Sequence, residues 1–183
     1  RKSFGCVKFT GSVGGGKAME EAAAGTFTAV GTELGGKDPG YVMEDADLDV
    51  AVETLIDGAM FNSGQSCCGI ERIYVCATHY EAFVEKAVAI VEQYTLGNPL
   101  QADTTLGPMS HARFAEQVRS QTAEAVAAGA RALVNPDLFP NDAGAYLMPQ
   151  ILVDTGLASS KGEARRFVHS GAVSINGTKI TED

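Results

Sequence analysis

The 183 residues contain no run of about 18 apolar residues that could read as a membrane span. They also lack, at the amino terminus, the charged-then-apolar pattern of a signal peptide, so the expected compartment is the cytoplasm. Low-complexity tracts and internal repeats are missing, and 45% hydrophobic with 20% charged residues is the balance of a folded globular protein, which excludes intrinsic disorder. The four cysteines, at 6, 67, 68 and 76, form neither a C-x-x-C pair nor a disulfide framework, which points to reduced thiols. His79, His111 and His169 make no metal-ligand spacing, so no metal site is expected. Positive charge is scarce: 14 Lys+Arg stand against 23 Asp+Glu, a net charge of -9. Residues 1–153 carry 10 against 19, giving -9, and residues 154–183 carry 4 against 4, giving zero. A phosphate backbone is therefore repelled by the long part and tolerated by the tail.

What is present alternates between strand and helix patterns. The β-rich run Phe4 to Thr10 leads through a glycine cluster to the helix former Lys17 to Ala24. A second strand is predicted over Phe27 to Leu34, closed by Gly35-Gly36 and a turn at Lys37-Asp38-Pro39-Gly40. Asp47 can cap a helix running to about Met60, with Leu48, Ala51, Val52, Leu55 and Ala59 on one face. A loop over Phe61 to Gly69 precedes a strand at Arg72 to Cys76. Tyr80, Phe83, Val84, Ala87, Val88 and Val91 then keep the spacing of an amphipathic helix. A further helix is predicted over Ser110 to about Ala128, and a short strand over Arg131 to Val134. This order implies an α/β layered fold, α/β/α, with a mainly parallel sheet.

Two glycine-rich loops could carry chemistry. Gly11-Ser12-Val13-Gly14-Gly15-Gly16-Lys17 fits the first seven positions of a phosphate-binding P-loop, but Ala18 has no oxygen for magnesium where Ser or Thr is required. A ligand-free strand-to-helix turn fits the spacing equally well. In Gly64-Gln65-Ser66-Cys67-Cys68-Gly69 a thiol sits among small residues, where a substrate could approach the backbone closely. The alternative is two small buried hydrophobes, the commoner fate of free cysteines.

Three motifs bear on that choice. Phe9-Thr10-Gly11-Ser12 with Gly16, then Glu33-Leu34-Gly35-Gly36-Lys37, then Phe61-Asn62-Ser63-Gly64-Gln65-Ser66-Cys67 resemble, in order and spacing, the signatures of the aldehyde dehydrogenase superfamily. Asp45-Ala46-Asp47-Leu48-Asp49, Leu96-Gly97-Asn98-Pro99-Leu100 and Leu106-Gly107-Pro108-Met109 extend the likeness over residues 4 to 153. The resemblance implies that Cys67 attacks an aldehyde, with Cys68 a neighbour and Glu33 the general base for the water that later hydrolyses the thioester. It implies NAD or NADP as hydride acceptor, held at Gly11, Ser12, Gly16 and Leu34, and the Cys67 amide as half an oxyanion hole. In that family the oxyanion-hole asparagine and the adenosine-ribose lysine precede the first motif. The Glu-x-Phe-Gly-Pro signature and the oligomerisation arm follow Val153. None of these is found in the 183 residues. Loss of one oxyanion donor alone costs roughly 3 to 4 kcal/mol of transition-state stabilisation, so little turnover is expected from these residues by themselves.

After Val153 the pattern changes. Ser160-Lys161-Gly162-Glu163 reads as a capping box opening a short helix, and Val173 to Ile180 alternates about Asn176-Gly177, a hairpin signal. A solvated basic helix on an α+β hairpin accounts for this much. The order from Gly156 to Arg166, with Val173-Ser174-Ile175-Asn176-Gly177, is also similar to the S4 RNA-binding module at the carboxyl end of bacterial tyrosyl-tRNA synthetases. That resemblance implies that Lys161, Arg165 and Arg166 contact RNA phosphates, weakly. The expected division is a partial catalytic domain over 1–153 and a partial S4-like module over 154–183, joined near 152–157. An RNA-binding protein on an α/β scaffold and an inert fusion are the alternatives to an oxidoreductase.

Overall fold

The computed structural model describes residues 5–153 and the strand pairs at 174–175 and 178–179. Two consecutive β-α-β units make up the first half. In the first, β1 (Cys6–Thr10) and β2 (Ala29–Glu33) pair in parallel, Cys6 opposite Ala29 and Thr10 opposite Glu33, around α1 (Val13–Ala23). In the second, β3 (Asp38–Val42) and β4 (Ile70–Val75) pair in parallel around α2 (Leu48–Met60). Then come α3 (Tyr80–Val91), α4 (Ala112–Ala127) and a short antiparallel pair, β5 (Arg131–Ala132) with β6 (Leu152–Val153). The α/β class expected from alternation is observed, with the parallel pairing that β-α-β connections require.

Most boundaries move by a few residues, and two differences have a tertiary cause. Helix α1 begins at Val13 and not after the glycines, although each glycine disfavours a helix by about 1 kcal/mol relative to alanine. Ser12 overrides the propensity: its Oγ accepts from the Gly15 amide at 3.1 Å and its carbonyl from the Gly16 amide at 2.9 Å. Side chains are excluded at Gly15 and Gly16 in any case. A Cβ at Gly15 would fall 2.5 Å from the Phe9 ring, and one at Gly16 would fall 2.9 Å from Leu34. The second difference is Lys37-Asp38-Pro39-Gly40, expected as a turn, of which Asp38 onward is strand β3. Its proline sits at a register irregularity between Asp38 and Pro39, on a strand with a single partner among the described residues, so the missing N–H interrupts little of the ladder.

The core gathers where α2 and α3 pack. Val52 and Ile56 of α2 meet Phe83, Ala87 and Val91 of α3, joined by Val42, Leu96, Leu106, Val134 and Phe139. Of the stripe the spacing implied, Phe83, Ala87 and Val91 are buried while Tyr80, Val84 and Val88 are half-buried, and Ile90 also packs on the core. Asp47 caps α2 as expected, its Oδ1 accepting from the Asp49 and Val50 amides at 3.1 and 3.2 Å. Tyr94 packs against this core, and burial, with a smaller contribution from Asp57, raises its pKa. A phenol whose folded pKa exceeds its unfolded value near 10 stabilises the fold fully below that value, and the contribution is lost as pH rises through the folded pKa. Denaturant titrations should show stability falling above about pH 10, with a shallower fall in Tyr94→Phe.

In the tail, β7 (Ser174–Ile175) pairs antiparallel with β8 (Thr178–Lys179), Ser174 opposite Lys179 and Ile175 opposite Thr178, which is the register the Asn176-Gly177 signal implied. The helix expected after Ser160, and with it Lys161, Arg165 and Arg166, lies outside the described residues. Among the described residues no helix is long and apolar enough to cross a membrane.

Candidate active site

Parallel pairing of β1 and β2 puts the loop after Thr10 and the residue Glu33 at the same, carboxyl, end of the first unit. The segment Leu34 to Lys37 carries the chain from that end to the start of β3. The loop before β4 arrives at the same place, because β3 and β4 run in parallel and share their amino ends. Three stretches distant in sequence are thereby brought into one region.

Backbone contacts fix the meeting. The Gly11 amide donates to the Glu33 carbonyl at 3.0 Å, and the Asp38 amide to the Gly69 carbonyl at 3.1 Å. A Cβ at Gly36 would lie 2.7 Å from the Cys67 carbonyl oxygen, so glycine is needed for the Cys67 loop to approach this closely. Gly16 is buried against Leu34, coupling the loop that opens α1 to the segment after Glu33.

Cys67 and Cys68 are both exposed and unpaired by disulfide, which overturns the alternative that they are buried hydrophobes. They differ in surroundings. Cys68 Sγ lies 3.3 Å from Ser66 Oγ, whereas Cys67 Sγ makes no hydrogen bond among the described residues. The Glu33 carboxylate is solvent-exposed at the end of β2. The α1 start offers an open concavity lined by Gly11, Ser12, Val13, Gly35, Gly36 and Lys37. The Ser12 hydroxyl caps Gly15, the Val13 and Gly14 amides have no intrahelical acceptor, and a Cβ at Gly14 would meet no atom within 4 Å. A helix start with free amides and room beside it suits a phosphate group. The P-loop alternative fails on geometry as well as on Ala18, since Gly14 to Gly16 are helical and do not wrap a ligand. Lys37, at the rim, is paired with Glu71.

The two histidines among the described residues, His79 and His111, make structural contacts. His79 Nε2 bonds the Glu44 carbonyl at 2.7 Å, and His111 Nδ1 accepts from the Arg113 amide at 3.1 Å as the cap of α4. Among the described residues no group of three or more His, Cys, Asp or Glu could hold a metal.

Sequence reasoning treated Asn62, Ser63 and Gln65 only as parts of a motif, and they prove to hold the loop. Ser63 Oγ donates to the Gly107 carbonyl at 2.7 Å, and Gln65 Oε1 accepts from the Ser110 amide at 2.8 Å. Asn62 Nδ2 donates to the Gln65 carbonyl at 3.2 Å and Gln65 Nε2 to the Asn62 carbonyl at 3.1 Å. The adjacency of Asn, Ser and Gly, residues tolerant of left-handed backbone or local bonding, was the available signal for a tight turn.

Residues 1–160 match the model of the aldehyde dehydrogenase family, and residues 139–183 match that of the tyrosine–tRNA ligase SYY-like C-terminal domain. Lactaldehyde dehydrogenase of Escherichia coli (strain K12) is 38% identical over 149 residues, covering 81% of this chain and 31% of that protein. The crystal structure of glyceraldehyde-3-phosphate dehydrogenase GapN from Methanocaldococcus jannaschii, complexed with NADP, is similar at a TM-score of 0.75 and 33% identity, over 81% of this chain and 32% of that one. A double mutant of betaine aldehyde dehydrogenase from Staphylococcus aureus, in complex with NAD+, is similar at a TM-score of 0.74 and 32% identity, over 82% of this chain and 31% of that one. The chain thus spans about a third of the length of the relatives it matches. It belongs to the aldehyde dehydrogenase family.

Proposed function

We propose that this chain carries the nucleophile-bearing part of an NAD- or NADP-dependent aldehyde dehydrogenase, which oxidises a small-molecule aldehyde to a carboxylic acid through Cys67. The observation that carries the reading is the convergence of three motif segments, Gly11 on Glu33 by hydrogen bond and Gly36 on Cys67 by backbone contact. The Cys67 thiolate adds to the aldehyde carbonyl, forming a C–S bond and a thiohemiacetal whose oxygen is steadied by the Cys67 amide. A bound NAD or NADP would supply the hydride acceptor for that carbon, and Cys67 would then carry the acyl group as a thioester. Glu33 then takes a proton from water as the water's oxygen attacks the thioester carbon. The C–S bond breaks, the acid leaves, and the thiolate is restored. Gly11 and Ser12 would line, and Gly16 packed on Leu34 would shape, the α1 start, whose Val13 and Gly14 amides would take the pyrophosphate.

Reversible addition implies protection. With the cysteines alkylated by iodoacetamide at neutral pH and read peptide by peptide, millimolar propanal should slow labelling of Cys67 by about threefold or more, while leaving Cys6 and Cys76 unaffected. Equal slowing of all four thiols, or of none, contradicts the proposal.

The tail supports a second reading. The match to the synthetase C-terminal domain and the β7–β8 hairpin favour an S4-like RNA contact through Lys161, Arg165 and Arg166. Such contacts are to phosphate and weaken as salt rises.

A further inference from the structure

The turn that delivers Cys67 is conformationally costly. Asn62, Ser63 and Gly64 follow one another with φ of 51°, 58° and 74°, and the two non-glycine residues lie wholly in the left-handed region. Each such residue is disfavoured, and a pair in succession persists only where the surroundings over-determine it.

The surroundings are two side chains gripping one distant strip. Ser63 Oγ holds the Gly107 carbonyl, and Gln65 Oε1 holds the Ser110 amide, across 44 and 45 residues of chain. That strip is itself anchored. Leu106 is part of the core and its carbonyl accepts from the Gly97 amide at 3.0 Å, while the Met109 amide donates to the Ala145 carbonyl at 2.8 Å. On its other side Cys67 is bounded by Gly69, whose amide donates to the Ser66 carbonyl and whose carbonyl accepts from Asp38. The thiol therefore sits midway between a fixed strand junction and the grip at 63 and 65.

We propose that Ser63 and Gln65 are positioning residues: their grip on Gly107 and Ser110 holds the left-handed turn and thereby sets the placement of the Cys67 thiol relative to its neighbour Cys68. The proposal rests on the reading of Cys67 as the nucleophile, but it concerns the loop and can fail separately.

The test is the ratio of Cys67 to Cys68 alkylation by iodoacetamide, with Cys76 at the end of β4 as reporter of the folded body. In the unmodified chain Cys67, read as the nucleophile, should label about threefold or more faster than Cys68. In Gln65→Leu, and independently in the milder Ser63→Ala, the ratio should fall towards one with half-buried Cys76 labelling at its rate in the unmodified chain. Gln65→Glu keeps the oxygen that the Ser110 amide reaches but exchanges the Nε2 donor to the Asn62 carbonyl for an acceptor, so its ratio should fall between those of the unmodified chain and Gln65→Leu. An unchanged ratio in both Gln65→Leu and Ser63→Ala overturns the proposal. So does a fall in the ratio matched by proportionate exposure of Cys76, which would mean that the two residues only stabilise the fold. If propanal fails to shield Cys67 while the ratio responds to these substitutions, the catalytic reading falls and the positioning role stands.

Discussion

Cys67→Ala should remove the fast-labelling thiol entirely, leaving Cys6, Cys68 and Cys76 to react at their former rates, whereas Cys68→Ala should leave the fast phase in place. The asymmetry follows from the reading of Cys67 as the nucleophile, since exposure alone does not separate the two sulfurs. Cys67 also has its backbone pressed on Gly36, next to the segment that carries Glu33, so its position is fixed by a tertiary contact. No other thiol can replace it. Cys6 lies on β1 and Cys76 at the end of β4, where Thr78 Oγ1 donates to its sulfur at 3.4 Å. Peptide mapping of the labelled protein checks this, and persistence of the fast phase in Cys67→Ala would assign it elsewhere.

The largest effect on stability is expected at Arg119. Its guanidinium, three-quarters buried on α4, donates to Asp142 at 2.8 Å, to the Tyr146 carbonyl at 2.6 Å and to the Gly144 carbonyl at 3.2 Å. Asp142 Oδ1 also accepts from the Met148 amide at 3.3 Å. The hydrogen bond from Arg119 to Asp142 raises the guanidinium pKa further, so the cation persists at any ordinary pH. One side chain thus organises the turn from 142 to 148, whose residues Tyr146 and Met148 pack on the core. Arg119→Met keeps much of the stem but leaves a partly buried carboxylate and two carbonyls without their donor. The loss should be about 2 to 3 kcal/mol, or about 5 to 10 °C in melting temperature for a chain of this size. Arg119→Lys restores the charge without the planar fork and should recover less than half of it. Thermal unfolding of the three proteins measures this. The exposed pair Lys86–Asp49 provides the contrast, since a surface bridge of that kind contributes little.

What could be read from the residues is set by how locally each feature is determined. Helix α3 and the Asp47 cap of α2 were legible because their causes lie within a few residues: an apolar stripe at helical spacing, and a short acidic side chain before it. The start of α1 and strand β3 were not. Glycine and proline there signal a loop by propensity, while contacts with Phe9 and Leu34, and pairing with β4, decide otherwise. Cys67 and Glu33 emerged as candidates from ordered motifs, not from composition, which favoured a buried thiol. Their setting depended on contacts between segments 30 or more residues apart, such as Gly36 on Cys67 and Ser63 on Gly107. Arg119 gave no sign, being one charge among several on a polar helix whose partners lie beyond residue 141.

The central claim is that Cys67 is a nucleophile placed beside a dinucleotide site at the start of α1. Its most direct test is the alkylation rate of Cys67 measured with and without NAD+ and NADP+. One of the two dinucleotides should change the Cys67 rate by about twofold or more while Cys6 and Cys76 stay constant. Slow, uniform labelling of all four cysteines that neither dinucleotide alters would contradict it.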